Sequence, residues 1–193
     1  MTTPRPFGRR AFLRLAHAGM AVLPVMTAKR VSGQSAAVQP ATRTYARQVK
    51  LGLVGCGGRG SWISNLFKAN GGFVMTAVAD YFADRAMRVG AQLGIPPSRC
   101  FSGLDGYRRL MASGIEAVVL QTPPYFFPAH AEAALDAGLH LYMAKPVAID
   151  IPGTLTIQRL AARATQERRV FLADYQLPRD PVNQEVAKRI RAG

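Results

Sequence analysis

The sequence predicts an α/β fold, a doubly wound parallel sheet, on three observations. Strand and helix patterns alternate from Val49 to the end of the chain. The strand-like runs are largely apolar, and Ile115 to Leu120 is continuously so apart from Glu116, as expected of strands covered on both faces. A glycine-rich loop, Gly55-Cys56-Gly57-Gly58-Arg59-Gly60, joins the first strand to the first helix. A length of 193 residues, 49% of them hydrophobic, suits one domain with a sizeable core plus a tail.

The elements follow in order. Strand one runs from Val49 to Val54. The next helix opens at Arg59 or Gly60, carries Trp62, Ile63, Leu66 and Phe67 on one face, and stops at Gly71-Gly72. Strand two is Phe73 to Ala79, and a helix from Ala83 to Leu93 ends at Gly94. Cys100-Phe101 reads as a short third strand, and Asp105 as the cap of a helix carrying Tyr107, Leu110 and Met111. Ile115 to Leu120 is the fourth strand and leads into Gln121-Thr122-Pro123-Pro124. Pro128 opens the next helix, and Leu139 to Met143 is the fifth strand, leading into Ala144-Lys145-Pro146. A helix from about Pro152 to Arg168 and a sixth strand, Val170 to Ala173, follow. Asp180-Pro181 caps a last helix with Val182, Val186 and Ile190 on one face.

In the first loop, Gly55, Gly57 and Gly60 have the G-x-G-x-x-G spacing of a dinucleotide-binding, Rossmann-type fold. Gly55 allows the tight turn, Gly57 lets a pyrophosphate approach the backbone, and Gly60 lets the helix pack closely. The free N–H groups at the helix start face the anion. Asp80 ends strand two, 20 residues after Gly60, where such a fold places the carboxylate that holds the adenosine ribose. The plainer alternative is a glycine turn followed by an Asp that caps the next helix.

The formal charge of +14 invites a nucleic-acid reading, but six of the 25 Lys and Arg fall within the first 30 residues. Without them, 19 basic residues stand against 11 acidic ones, or +8, with no basic stripe interleaved with aromatics. That argues against nucleic acid as a partner. Two cysteines, Cys56 and Cys100, make neither a disulfide framework nor a metal site, and Cys56 reads as a small filler of its loop. No run is long and apolar enough for a stable membrane span.

Gly8-Arg9-Arg10-Ala11-Phe12-Leu13-Arg14 resembles a twin-arginine export signal. An apolar stretch, Ala16 to Ala28, and a run of small residues ending at Ala37 follow it. Residues 1–37 are therefore read as a cleavable signal, with the twin-arginine translocase as a partner and the periplasm or another exported location as destination. Residues 38–48 read as a flexible linker. A basic tail is the alternative.

Taken together, the loops resemble the Gfo/Idh/MocA family, named for glucose–fructose oxidoreductase and inositol dehydrogenase. The matching pieces are the glycine loop, Ala77-Val78-Ala79-Asp80, Thr122-Pro123-Pro124 with His130 downstream, Ala137 to Pro146, and Asp180-Pro181. The resemblance implies an NAD(P)-binding domain over 49–178 and a helix, 179–193, leading to a second, α+β domain. That domain would supply the substrate pocket and the oligomer surface, and the chain stops where it is expected to begin.

The resemblance also implies roles. Gly55, Cys56, Gly57, Gly58, Arg59 and Gly60 hold the pyrophosphate, Asp80 the ribose, and Thr122, Pro123 and Pro124 the nicotinamide half. Lys145 matches the lysine of the family's Glu-Lys-Pro motif and carries catalysis beside the nicotinamide, with no metal. Asp80 opposes a ribose 2′-phosphate, which favours NAD over NADP. Ala144 stands where the family has Glu, removing a carboxylate beside Lys145. His130 reads as packed at its helix start. The expected activity is hydride transfer between a sugar or polyol hydroxyl and nicotinamide. A nucleotide-binding module without turnover and an NAD-dependent glycosidase are the alternatives within the family, and a methyltransferase the one outside it.

Overall fold

The computed structural model describes residues 45–175 and 180–193. Six strands form one sheet in the order β3-β2-β1-β4-β5-β6. They are β1 (Val49–Val54), β2 (Phe73–Asp80), β3 (Cys100–Ser102), β4 (Ala117–Leu120), β5 (His140–Ala144) and β6 (Phe171–Asp174). Every neighbouring pair is parallel. The helices are α1 (Gly58–Asn70), α2 (Ala83–Leu93), α3 (Gly106–Met111), α4 (Phe127–Asp136), α5 (Ile151–Gln166) and α6 (Pro181–Ala192). The order reverses between β1 and β4, so their carboxyl ends flank the crevice where such sheets take ligands.

Strand residues feed two cores. Leu51, Leu53, Val78 and Val119 meet Ile63 of α1 and Val89 and Leu93 of α2 on one side. Val118, Leu120, Leu141 and Met143 meet Leu110 of α3, Phe127 and Leu135 of α4, and Leu160 of α5 on the other. Val118, Val119 and Leu120 are therefore all buried in succession, which explains the unbroken apolar run in the sequence.

The helix after β1 differs from expectation. Its buried residues are Gly60, Ile63 and Ser64, with Phe67 partly buried against them, while Trp62 and Leu66 are 46% and 47% exposed. The reason is geometric. Gly60 approaches the loop so closely that a Cβ there would lie 1.9 Å from the Gly55 carbonyl oxygen. That contact fixes the rotation of α1, and the stripe that then faces the sheet is 60, 63, 64 and 67. Trp62 and Leu66 sit on the next stripe round.

Other differences are smaller. Asp105 occupies the position before α3, but its side chain makes no capping bond; its carbonyl accepts from Arg108 and Arg109 N–H instead. Ile115 and Glu116 precede β4 rather than joining it, and the Glu116 carboxylate accepts from Lys50 N–H and Arg47. Arg47 and Gln48, at the end of the expected linker, are thus tied to the domain, Gln48 donating to the Gly71 carbonyl at 3.0 Å. Asp180 caps α6 by accepting from Val182 and Asn183 N–H, and the Val182, Val186 and Ile190 stripe is exposed. The expected signal, most of the expected linker and the 178/179 boundary lie outside the described residues. Among those described, no helix is long and apolar enough to cross a membrane, and no cluster of His, Cys, Asp and Glu is placed to hold a metal.

Candidate functional site: a cleft over the carboxyl ends of the strands

The glycine loop is shaped by what surrounds it. Gly55 has φ +100°, and a Cβ there would meet the Gln121 backbone at 2.6 Å. Its N–H donates to the Ala79 carbonyl at 2.8 Å, tying the loop to β2. Gly57 precedes α1 with no side-chain cap, and no acidic residue occupies the first turn. The first-turn N–H groups are thus left for another acceptor. A Cβ at Gly57 or Gly58 would meet nothing within 4 Å, so this face of the loop is open.

Asp80 stands beside the loop. One carboxylate oxygen accepts from Cys56 N–H at 2.7 Å and the other from Phe82 N–H at 3.0 Å. The carboxylate is fixed by these two bonds, and each oxygen keeps a lone pair for a hydroxyl donor. Cys56 itself is buried, and its thiol is pushed up to about 12 by burial and then by the Asp80 charge. It is a neutral packing group.

A cleft of about 770 Å³ gathers Gly55, Gly57, Asp80, Thr122 and Pro123. Cys56, Gly58, Arg59, Gly60, Pro124 and Lys145 do not line it. Gly60 supports the loop from inside α1, Pro124 starts a short 3-10 turn, and Lys145 is exposed just past the end of β5. Thr122 and Pro123 line the same cleft as Asp80. Arg59 turns to the other side of the loop and pairs with Asp174 at the end of β6.

Much of the remaining wall was not read from the sequence. Tyr81, Phe82 and Arg85 follow β2, and Leu104, Tyr107 and Arg108 follow β3. Gln121 follows β4, and its side-chain amide is buried without a hydrogen-bond partner among the described residues. The available signal was position alone, directly after strand carboxyl ends. His130 forms the floor, 6% exposed, between the rings of Tyr107 and Phe126 at 4.2 and 5.6 Å. Its Nδ1 lies 3.3 Å from Thr122 Oγ1. Burial and then the Arg108 charge push its pKa down to about 4, so the ring is neutral at pH 7.

The residues present fit a dinucleotide. A glycine cradle, an open helix start, a fixed carboxylate and an aromatic-walled cleft stand together over the sheet's crevice. Fold and site define a nucleotide-binding domain of the Rossmann class. The chain belongs to the Gfo/Idh/MocA oxidoreductase family, whose model, an NAD-binding Rossmann fold, matches residues 49–173. Nicotinamide dinucleotide is therefore its cofactor class.

A glycosyl hydrolase family 109 protein of Streptomyces coelicolor is 34% identical over 108 residues, covering 53% of this chain and 23% of that protein. Inositol 2-dehydrogenase 4 of Saccharopolyspora erythraea is 28% identical, covering 76% of this chain and 42% of that protein. The solved UDP-N-acetylglucosamine 3-dehydrogenase of Acidithiobacillus ferrooxidans superposes with a TM-score of 0.60 at 27% identity, covering 74% of this chain and 43% of that one. The chain thus spans less than half the length of each of these relatives.

Proposed function

We propose that this chain is the cofactor-binding part of an exported, NAD-dependent oxidoreductase that acts on a sugar or polyol hydroxyl. The observation that carries the cofactor half is the pairing of the open glycine loop with Asp80, whose carboxylate holds the loop through Cys56 N–H at 2.7 Å. The substrate class is supported by the family and by the names of relatives, which include an inositol dehydrogenase. Export rests on the Arg9-Arg10 motif.

In this reading the N–H groups at the start of α1 bind the pyrophosphate. Asp80 accepts the adenosine ribose hydroxyls, and Thr122 and Pro123 wall the ligand on the β4 side. Bound nicotinamide supplies the hydride acceptor. Lys145, just past the end of β5, positions the reacting hydroxyl and stabilises alkoxide character on its oxygen through an ammonium hydrogen bond. Ala144 offers that lysine no carboxylate from its own strand.

Asp80 also sets cofactor choice, because a ribose 2′-phosphate would add negative charge beside its carboxylate. Calorimetric titration of the full chain with NAD and NADP tests both points. NAD is expected to bind more tightly than NADP, and Asp80→Ala should weaken NAD by about tenfold while changing NADP much less. Equal losses for both would reduce Asp80 to a holder of the loop, and a folded protein that binds neither would remove the cofactor reading.

An NAD-dependent glycosidase is the second reading, favoured by the glycosyl hydrolase family 109 relatives. Release of an aglycone without net NADH from the full-length protein would select it. Net NADH from a free sugar would select the dehydrogenase.

A further inference from the structure

Thr122 has little freedom of its own. Its neighbour Gln121 still donates an N–H to the Val54 carbonyl at 2.8 Å, so the ladder of β4 runs up to it. Pro123 follows, which disfavours helical backbone at Thr122. The branched Cβ limits its side chain to a few staggered positions. Pro124–Phe126 then form a 3-10 turn that leads into α4. That turn brings His130 back over the end of β4, where its Nδ1 lies 3.3 Å from Thr122 Oγ1.

The imidazole is also held. It lies 4.2 Å from the Tyr107 ring of α3 and stacks at 15° on Phe126 of the turn before α4. Rotating it would displace a packed aromatic. A residue that only filled this space would need no polar atom, and a buried polar atom without a partner is costly. The ring instead directs Nδ1 at a hydroxyl whose residue lines the cleft, as His130 itself does. A threonine hydroxyl has three hydrogen-bonding positions, one donor and two acceptor. Whichever ring nitrogen carries the proton, His130 occupies one of them and leaves two.

The sheet order decides which part of a ligand meets them. Asp80 ends β2 and Thr122 follows β4, on opposite sides of β1. A dinucleotide lies across this reversal with one nucleoside on each side. With the adenosine at Asp80, the nicotinamide nucleoside falls on the Thr122 side.

We propose that His130 is a positioning residue: it fixes the Thr122 hydroxyl so that the remaining positions on its oxygen meet the nicotinamide nucleoside of the bound dinucleotide. The proposal rests on the cofactor reading above and adds to it a side chain that acts through Thr122.

The test uses the full chain with NAD and with ADP, which carries the adenosine and pyrophosphate but no nicotinamide nucleoside. Both are followed by calorimetry. Thr122→Val keeps the shape and removes the hydroxyl, and it is expected to weaken NAD by about fivefold while leaving ADP unchanged. His130→Phe keeps a stacked ring and removes Nδ1, and it should show a smaller loss of the same pattern. The double variant should be no weaker than Thr122→Val alone, because the two residues act through one contact. His130→Asn, which returns a polar atom near the Nδ1 position, should bind NAD more tightly than His130→Phe, whereas a packing role alone gives the opposite order. Nitrogen-15 NMR of the wild-type imidazole covers the case in which the His130 variants do not fold: the Nδ1 resonance should move with NAD and stay with ADP. Parallel losses for ADP, additive losses in the double variant, wild-type NAD affinity in His130→Phe, or an Nδ1 resonance that NAD leaves in place would each overturn the proposal. A folded wild-type chain that binds neither NAD nor ADP would instead overturn the cofactor reading.

Discussion

His130 shows how a single side chain carries pH dependence in this domain. It is a neutral ring stacked between Tyr107 and Phe126, with its pKa pushed down to about 4. Its ordinary value is 6.5, so between these two pH values the unfolded chain binds a proton that the folded one does not. Stability from this residue is complete above pH 6.5 and is lost as pH falls toward 4. The shift corresponds to a loss of up to about 3 kcal/mol. Denaturant melts of wild type and His130→Phe at pH 7 and pH 4.5 would measure it, and the variant should show a shallower fall. An equal fall in both would place the acid sensitivity elsewhere. Sequence alone read this histidine as packed rather than catalytic, because it follows Pro128 at a helix start. Its Tyr107 neighbour was not legible, since that ring comes from α3, 23 positions earlier.

At the scale of elements, apolar runs and glycine stops were enough to order all six strands and the helices between them. The facing of α1 was not, because four apolar residues at 62, 63, 66 and 67 fit two adjacent stripes equally well. The deciding contact is between Gly60 and the Gly55 carbonyl, and a glycine adds nothing to a hydrophobic pattern. Ile63 is 6% exposed and Leu66 is 47% exposed, so truncation should separate them. Ile63→Ala is expected to cost about 2–5 kcal/mol, while Leu66→Ala should cost well under that. Comparable losses in urea denaturation would mean that α1 is rotated from the position described. The cleft was legible where glycine spacing and strand ends mark it, at Gly55, Gly57, Asp80 and Thr122. It was not legible at Leu104, Tyr107 and Arg108, which follow β3. Only three residues form that strand, too few to announce a carboxyl end from periodicity.

For the whole molecule, the proposed export reading ties the cleft to residues 1–37. The walls of the cleft come from chain segments after β1, β2, β3 and β4, so no part of it exists until the sheet has assembled. A protein that draws NAD from the cytoplasm and works outside it must therefore fold and load before it crosses the membrane. In the export reading proposed above, the twin-arginine route, which carries folded cargo, is what joins the Arg9-Arg10 motif to a dinucleotide cleft in one chain. We expect the Arg9→Lys, Arg10→Lys variant to stay in the cytoplasm while binding NAD as tightly as wild type, because neither residue lies within the family-matched span of 49–173. Wild-type protein recovered from outside the cytoplasm should carry NAD when denatured and assayed for released nucleotide. Exported protein without nucleotide, able to bind added NAD, would separate loading from export. Unchanged export of the double-lysine variant would remove the twin-arginine reading.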